Sequence, residues 1–157
     1  MQAIILVPTR ELAVQVHDEV VKLADGLDLD CVAVYGGTPI RGQIEKLKRG
    51  AEVVVGTPGR VIDHLQRGTL SLRYVRYAVL DEADQMLDIG FLPDIRRILS
   101  RTPKRRQTAL FSATMPSTIR RLVWQFMDDP ETVTVDPELS TVDTIDQVFY
   151  EVATRDK

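Results

Sequence analysis

The sequence has almost no means of covalent cross-linking. Its 157 residues include one cysteine, Cys31, which excludes an internal disulfide framework and fits a reducing compartment. Cys31 lies in an apolar stretch and reads as a buried strand residue. The two histidines, His17 and His64, have no cysteine or histidine neighbour at zinc-ligand spacing, so both read as surface helix positions. Aromatic residues make up only 6%, which leaves few platforms for stacking. Neither charge sign dominates, since 20 Lys and Arg stand against 23 Asp and Glu for a net charge of −3. Any nucleic-acid binding must therefore come from local patches. No apolar run approaches the ~20 residues of a spanning helix. The first, Ala3 to Val7, stops at Pro8-Thr9-Arg10-Glu11, and neither a secretory leader nor a membrane partner is expected. A cytoplasmic protein is the expectation.

What is present is an alternation. Hydrophobic residues at 44% and charged residues at 27% are ordinary for a globular domain, and the length suits one. Strand-like runs at Ala3–Val7, Cys31–Tyr35, Val53–Val55, Tyr77–Leu80, Thr108–Phe111 and Thr132–Val135 alternate with helical spacings. The helical segments run from Glu11 to Ala24, Ile40 to Lys48, about Gly59 to Gln66, Phe91 to Ser100 and Pro116 to Met127. Such alternation predicts an α/β fold, a parallel sheet with helices on both faces. From Asp136 the pattern changes to a linker, followed by one more strand at Ile145–Val152.

The chain centres on Tyr77-Ala78-Val79-Leu80-Asp81-Glu82-Ala83-Asp84. A buried strand that ends in acids delivers carboxylates to the crevice beyond the strand ends, where open α/β sheets bind ligands. Crowded acids repel one another, and Mg²⁺ would relieve that cost. A plain polar turn after a strand is the other reading. Thr57-Pro58-Gly59-Arg60 offers a cap, a first-turn proline, a close-approach glycine and a cation. It suits either phosphate at a helix N-terminus or an ordinary strand-to-helix turn. Gly36-Gly37 and Thr9-Arg10 carry the same two readings, and Ser112-Ala113-Thr114 either bonds to the acids or caps a helix. If the sheet is parallel these loops share one edge, which would suit a single nucleic-acid strand gripped by its backbone. Tyr35 is the only aromatic near them, so little base reading is expected, and spacing cannot separate RNA from DNA.

Pro8-Thr9-Arg10-Glu11-Leu12-Ala13, Gly36-Gly37, Thr57-Pro58-Gly59-Arg60, Asp81-Glu82-Ala83-Asp84 and Ser112-Ala113-Thr114 appear in the order used by DEAD-box ATP-dependent RNA helicases. Five short strings in order, each at a strand end, make the resemblance specific, and it covers nearly the whole chain. It implies a three-layer RecA-like parallel sheet, the first such domain of a helicase. It implies that Asp81 and Glu82 hold Mg²⁺ through water, with Glu82 also positioning or deprotonating the attacking water. It also implies that Asp84, Ser112 and Thr114 couple hydrolysis to strand separation. Pro8, Thr9, Arg10, Gly36, Gly37, Thr57, Pro58, Gly59 and Arg60 would hold single-stranded or duplex RNA, with the family's RNA-bending helix beginning at Gly59. The helix carrying Gln43 resembles another RNA-contacting element, although Lys46 stands where Arg is usual.

The departures from the family are specific too. No glycine in the sequence is followed by lysine, so it contains no P-loop. The adenine-reading segment and the second domain are missing as well. Residues 1–136 would then be an incomplete first RecA-like domain, with 137–157 a linker and the first strand of the missing second one. The expectation is a fragment of an ATP-dependent helicase, inactive alone and binding neither Mg²⁺ nor ATP by itself. A non-catalytic RNA-backbone-binding module or a regulatory remnant is the alternative. The lost P-loop strand would lie between Thr108–Phe111 and Thr132–Val135, leaving a gap or drawing those strands together. Removing apolar packing of this kind costs ~2–5 kcal/mol per large side chain, against ~5–15 in total. The isolated chain is therefore expected to melt at a marginal temperature or aggregate. A two-state melt near that of an intact domain is the result against it.

Overall fold

A computed structural model of the chain describes residues 1–135. Among the described residues five strands and six helices follow one another: β1 (Ala3–Leu6), α1 (Arg10–Leu23), β2 (Cys31–Val34), α2 (Ile40–Arg49), β3 (Val53–Gly56) and α3 (Pro58–Gln66). Then come β4 (Tyr77–Leu80), α4 (Ala83–Asp88), α5 (Leu92–Leu99), β5 (Gln107–Leu110) and α6 (Ser117–Phe126). The strands form one sheet in the order β2-β3-β1-β4-β5, and every pairing is parallel. The α/β class expected from the alternation is the one observed.

Side chains alternate across the sheet, so β1, β2 and β3 feed two cores, while β4 and β5 feed one. Ile4, Leu6, Val34, Val54, Ala78 and Leu80 join Val61 and Ile62 of α3, Ile95 and Ile98 of α5, and Ile119 and Leu122 of α6 in a large core. Val7 and Val55 meet Ala13 of α1 on the other face, with Ile5, Leu12, Val16 and Tyr35 packed around them. α1 starts where the Thr9 hydroxyl accepts a hydrogen bond from Leu12 N at 3.2 Å, a side-chain cap of the usual kind.

Four expectations need correction. Thr132–Val135 is not a strand. Val133 and Val135 are 83% and 84% exposed, and with no neighbour to bond there is no ladder to hold them extended. The sheet ends at β5 among the described residues, with no gap and no closing up. Cys31 opens β2 but is only half-buried, because β2 is an edge strand of the sheet. His64 is fully buried, because both ring nitrogens find partners inside, as described below. The linker from Asp136, the strand at Ile145–Val152 and the boundary between 1–136 and 137–157 lie outside the described residues.

Gly56 closes β3 where the chain is tightest. A Cβ there would sit 2.5 Å from Val34 Cγ2, 2.7 Å from Val34 O and 2.9 Å from Val61 Cγ2. Gly42, in α2, has open space around it. Gly56→Ala is expected to lose about 1–3 kcal/mol through overpacking, whereas Gly42→Ala gains about 0.5–1 kcal/mol from helix propensity. Urea midpoints of the two variants check the contrast.

Candidate functional site

The parallel ladder continues one residue beyond the ends of β1, β3, β4 and β5. Val7 N donates to Gly56 O at 3.1 Å, Thr57 N to Val34 O at 3.1 Å, Asp81 N to Leu6 O at 2.9 Å and Phe111 N to Leu80 O at 2.8 Å. The four loops that follow are thereby held along one carboxyl edge, and the loop after β2 leaves the same edge because β2 pairs parallel with β3. After β1 the chain moves toward β3 and β2; after β4 it moves the other way to β5. Adjacent strands whose connections diverge mark the binding crevice of an open α/β sheet. Here that crevice lies between Thr9-Arg10 and Asp81-Glu82.

Asp81 and Glu82 do not share one orientation. Asp81 Oδ1 accepts from Glu82 N at 3.0 Å. Glu82 is left-handed, with φ 50° and ψ 51°, a conformation costly for a side-chain-bearing residue and concentrated at functional sites. Asp84, at the start of α4, turns toward β5. Its Oδ2 accepts from Thr114 N at 2.9 Å and from Thr114 Oγ1 at 2.8 Å. Its own backbone N donates to Ser112 Oγ at 3.2 Å, and Ser112 Oγ donates to Thr114 O at 2.8 Å. Burial pushes the Asp84 carboxyl up, but the Thr114 hydroxyl and amide outweigh it and hold the group below the usual carboxylate range. Asp84, Ser112 and Thr114 therefore form one bonded unit across the β4 and β5 ends.

Along the other half of the rim, the Arg10 guanidinium lies 5.4 Å from the centre of the Tyr35 ring. Gly37 has φ +78°, and a Cβ there would stand 3.6 Å from Arg10 Nη1. Arg10, Gly36, Gly37 and Gly59 are exposed, while Pro8 and Pro58 are buried. Thr57 occupies the cap position of α3, but its side chain makes no cap bond, contrary to the expectation. Its hydroxyl and the first α3 amides are left without that partner. Arg60 turns inward and donates through both Nη atoms to Thr38 O, at 3.1 and 3.2 Å. It braces the Gly36–Thr38 turn.

Gln43 braces the same turn from α2. It is 7% exposed, and its Nε2 donates to Tyr35 O and Thr38 Oγ1, each at 2.9 Å. Its Oε1 is 3.1 Å from His64 Nε2, and His64 Nδ1 is 2.8 Å from Thr69 Oγ1. An amide oxygen only accepts, so Nε2 of His64 carries a proton, and the Thr69 hydroxyl lies against both Nδ1 and the His64 carbonyl oxygen, 3.2 Å from the latter. This burial leaves Gln43 no face for RNA contact, whereas Lys46 on the same helix is exposed. Sequence reasoning missed the inward roles of Gln43, His64 and Thr69. The available signal was a polar residue standing in the apolar stripe Ile40, Gln43, Leu47.

The model of the family described as DEAD/DEAH box helicase matches residues 1–122. The chain belongs to this family. It is 50% identical over its whole length to the DEAD-box ATP-dependent RNA helicase CshA of Geobacillus kaustophilus, covering 34% of that protein. It is 51% identical over 97% of its length to the RNA helicase CrhR of Synechocystis, covering 31%. The crystal structure of a DEAD box protein from Methanococcus jannaschii superimposes with a TM-score of 0.79 at 50% identity, over 82% of this chain and 35% of that one. A hypothetical ATP-dependent RNA helicase from Sulfolobus tokodaii gives the same score at 39% identity, over 83% and 39%. The sheet is thus the RecA-like sheet of DEAD-box proteins. The chain spans about a third of the length of the curated relatives it matches.

Burial, and next the Arg60 charge, lower the His64 pKa from its ordinary value. The unfolded chain then takes up a proton more readily than the folded one. Stability from this term is complete above the unfolded value near 6.5 and is lost as pH falls toward the folded value. The urea midpoint is expected to drop between about pH 7.5 and pH 5.5, and His64→Gln is expected to flatten that drop.

Proposed function

We propose that the chain is the catalytic-edge portion of an ATP-dependent RNA helicase. Residues 1–136 belong to the first RecA-like domain, and 137–157 lead to the second. The observation that carries this reading is the shared rim, on which the Asp81–Asp84 acids adjoin the Arg10, Gly37 and Thr57 loops. Asp81 would hold Mg²⁺ through water, with Glu82 adjacent. Mg²⁺ typically takes one or two carboxylates plus substrate phosphates. No cluster of three metal-ligating side chains is found among the described residues, which fits that mode and no all-protein cage. When bound, the ion neutralises charge on the phosphates.

Glu82 orients or deprotonates the attacking water, a role that typically contributes ~10²–10⁴-fold. Its left-handed backbone aims it independently of Asp81. The Asp84–Ser112–Thr114 unit couples that site to strand separation, because it ties Asp84, two residues after Glu82, to the loop after β5. Pro8, Thr9, Arg10, Gly36, Gly37, Thr57, Pro58, Gly59 and Arg60 form the RNA-backbone grip. Arg10 and the open α3 amides supply charge and donors, and Arg60 keeps the glycine turn in shape. No helix among the described residues is long and apolar enough to cross a membrane, and a cytoplasmic setting with RNA as partner follows from the reading.

The phosphate grips need no P-loop, so the chain by itself binds RNA weakly and without ATP. Arg10→Ala is expected to weaken binding of single-stranded RNA across sequences, with the salt slope shallower by about 0.7. Fluorescence anisotropy over a salt series checks it, and parent-like binding by that variant removes the grip. The sequence has no Gly-Lys phosphate cradle, so no ATP turnover is expected from the chain alone. Turnover that disappears in Glu82→Gln is the opposite result.

A further inference from the structure

The edge of the sheet opposite the rim carries a second concentration of cations. Arg73, Tyr74, Arg76 and Tyr77 precede or open β4; Arg101, Lys104 and Arg105 precede β5. All seven are exposed. The parallel register brings them together, with Tyr77 beside Gln107. The backbone stitches the two segments: Arg76 N donates to Gln2 O at 2.7 Å, and Gln107 N donates to Arg76 O at 2.8 Å. Arg106 anchors the second segment, donating to Pro103 O at 2.9 Å and Phe126 O at 3.1 Å.

Two depressions open between these segments. One, of about 440 Å³, is lined by Gln2, Tyr74, Val75, Arg76, Pro103 and Arg105. The other, of about 790 Å³, is bounded by Arg76, Tyr77, Lys104 and Arg105, with Asp128 the one acid on its wall. Among the described residues, none of the five exposed cations is ion-paired to a carboxylate. The rings are accessible too. Tyr74 is 66% exposed and Tyr77 51%, and the Arg73 guanidinium lies 4.8 Å from the centre of the Tyr74 ring.

Exposed tyrosines interleaved with unpaired cations fit single-stranded nucleic acid better than an acidic peptide. A strand offers phosphates at regular spacing and bases to stack, whereas an acidic peptide makes no use of the rings. We infer that this amino edge, built on Tyr74, Arg76, Lys104 and Arg105, is a second RNA-contact surface, separate from the carboxyl rim. It rests on the reading of the chain as an RNA-binding domain but not on the rim residues. Its effect is to lengthen the footprint on one RNA, with a salt-sensitive grip that reads no sequence.

The test uses the full 157-residue chain and a single-stranded oligouridylate of roughly 30 nucleotides, long enough at about 3.4 Å per nucleotide to reach both edges. The triple variant Arg76→Ala/Lys104→Ala/Arg105→Ala is expected to bind more weakly, with the salt slope shallower by about 2, three phosphates at ~0.7 each. Tyr74→Ala is expected to weaken binding about fivefold or more through lost stacking, with little change in slope. All four side chains are exposed, so melting midpoints are expected to stay at the parent value. Parent-like affinity and slope in the triple variant overturn the second surface, while weakening by Arg10→Ala alone leaves the rim reading standing. Weakening by the triple variant with none from Arg10→Ala supports the second surface and removes the rim. Polyglutamate competing as well as RNA, with Tyr74→Ala neutral, overturns the choice of RNA.

Discussion

Everything functional in this chain depends on parallel pairing that runs one residue past the ends of four of the five strands. An amide after each of β1, β3, β4 and β5 still donates to the neighbouring strand. Loops that leave a sheet at one level can act on one ligand. If Asp81 N lost Leu6 O, the acids would lose their fixed height relative to Arg10. The same register gathers cations at the opposite edge, where Arg76 and Gln107 are bonded across β4 and β5. The two edges are therefore two products of one constraint.

The two halves of the rim are held differently. On the β4–β5 side, side chains that carry the proposed chemistry also bond to one another: Asp84 is tied to Thr114 at 2.8 Å. The loop after β5 is thus bonded directly to α4, the helix that follows Glu82. On the β2–β3 side, the exposed residues are passive and the bracing is buried behind them. Gln43 and Arg60 both grip Thr38, and His64 holds Gln43 in turn. An unsatisfied polar group in the interior costs ~1–3 kcal/mol, so the network resists losing any one member. The glycine turn is thereby kept in a shape that bare glycines would not keep.

Much of this was legible in the residues because it is local. Alternating apolar periods mark the strands and five of the six helices within a residue or two; α4, only six residues long, is too short to show a period and carries no such mark. The strings at Pro8, Gly36, Thr57, Asp81 and Ser112 mark the loops, since caps, close approach and carboxylates need particular residue types. Thr132–Val135 shows the limit: a stretch with strand propensity stays exposed when no neighbour completes its hydrogen bonds. His64 shows the same limit in reverse, because a histidine looks like a surface residue until partners for both nitrogens are known.

By itself, then, the sequence determined the element types, the family and the identity of the residues at each strand end, because backbone conformation and periodicity are properties of neighbouring residues. Only the tertiary structure decided that Arg60 and Gln43 turn inward, that His64 is buried with a partner for each ring nitrogen, and that Arg76 meets Lys104 and Arg105 at one edge. Those outcomes join residues far apart along the chain, and their physical cause is strand register and the pairing of buried polar groups.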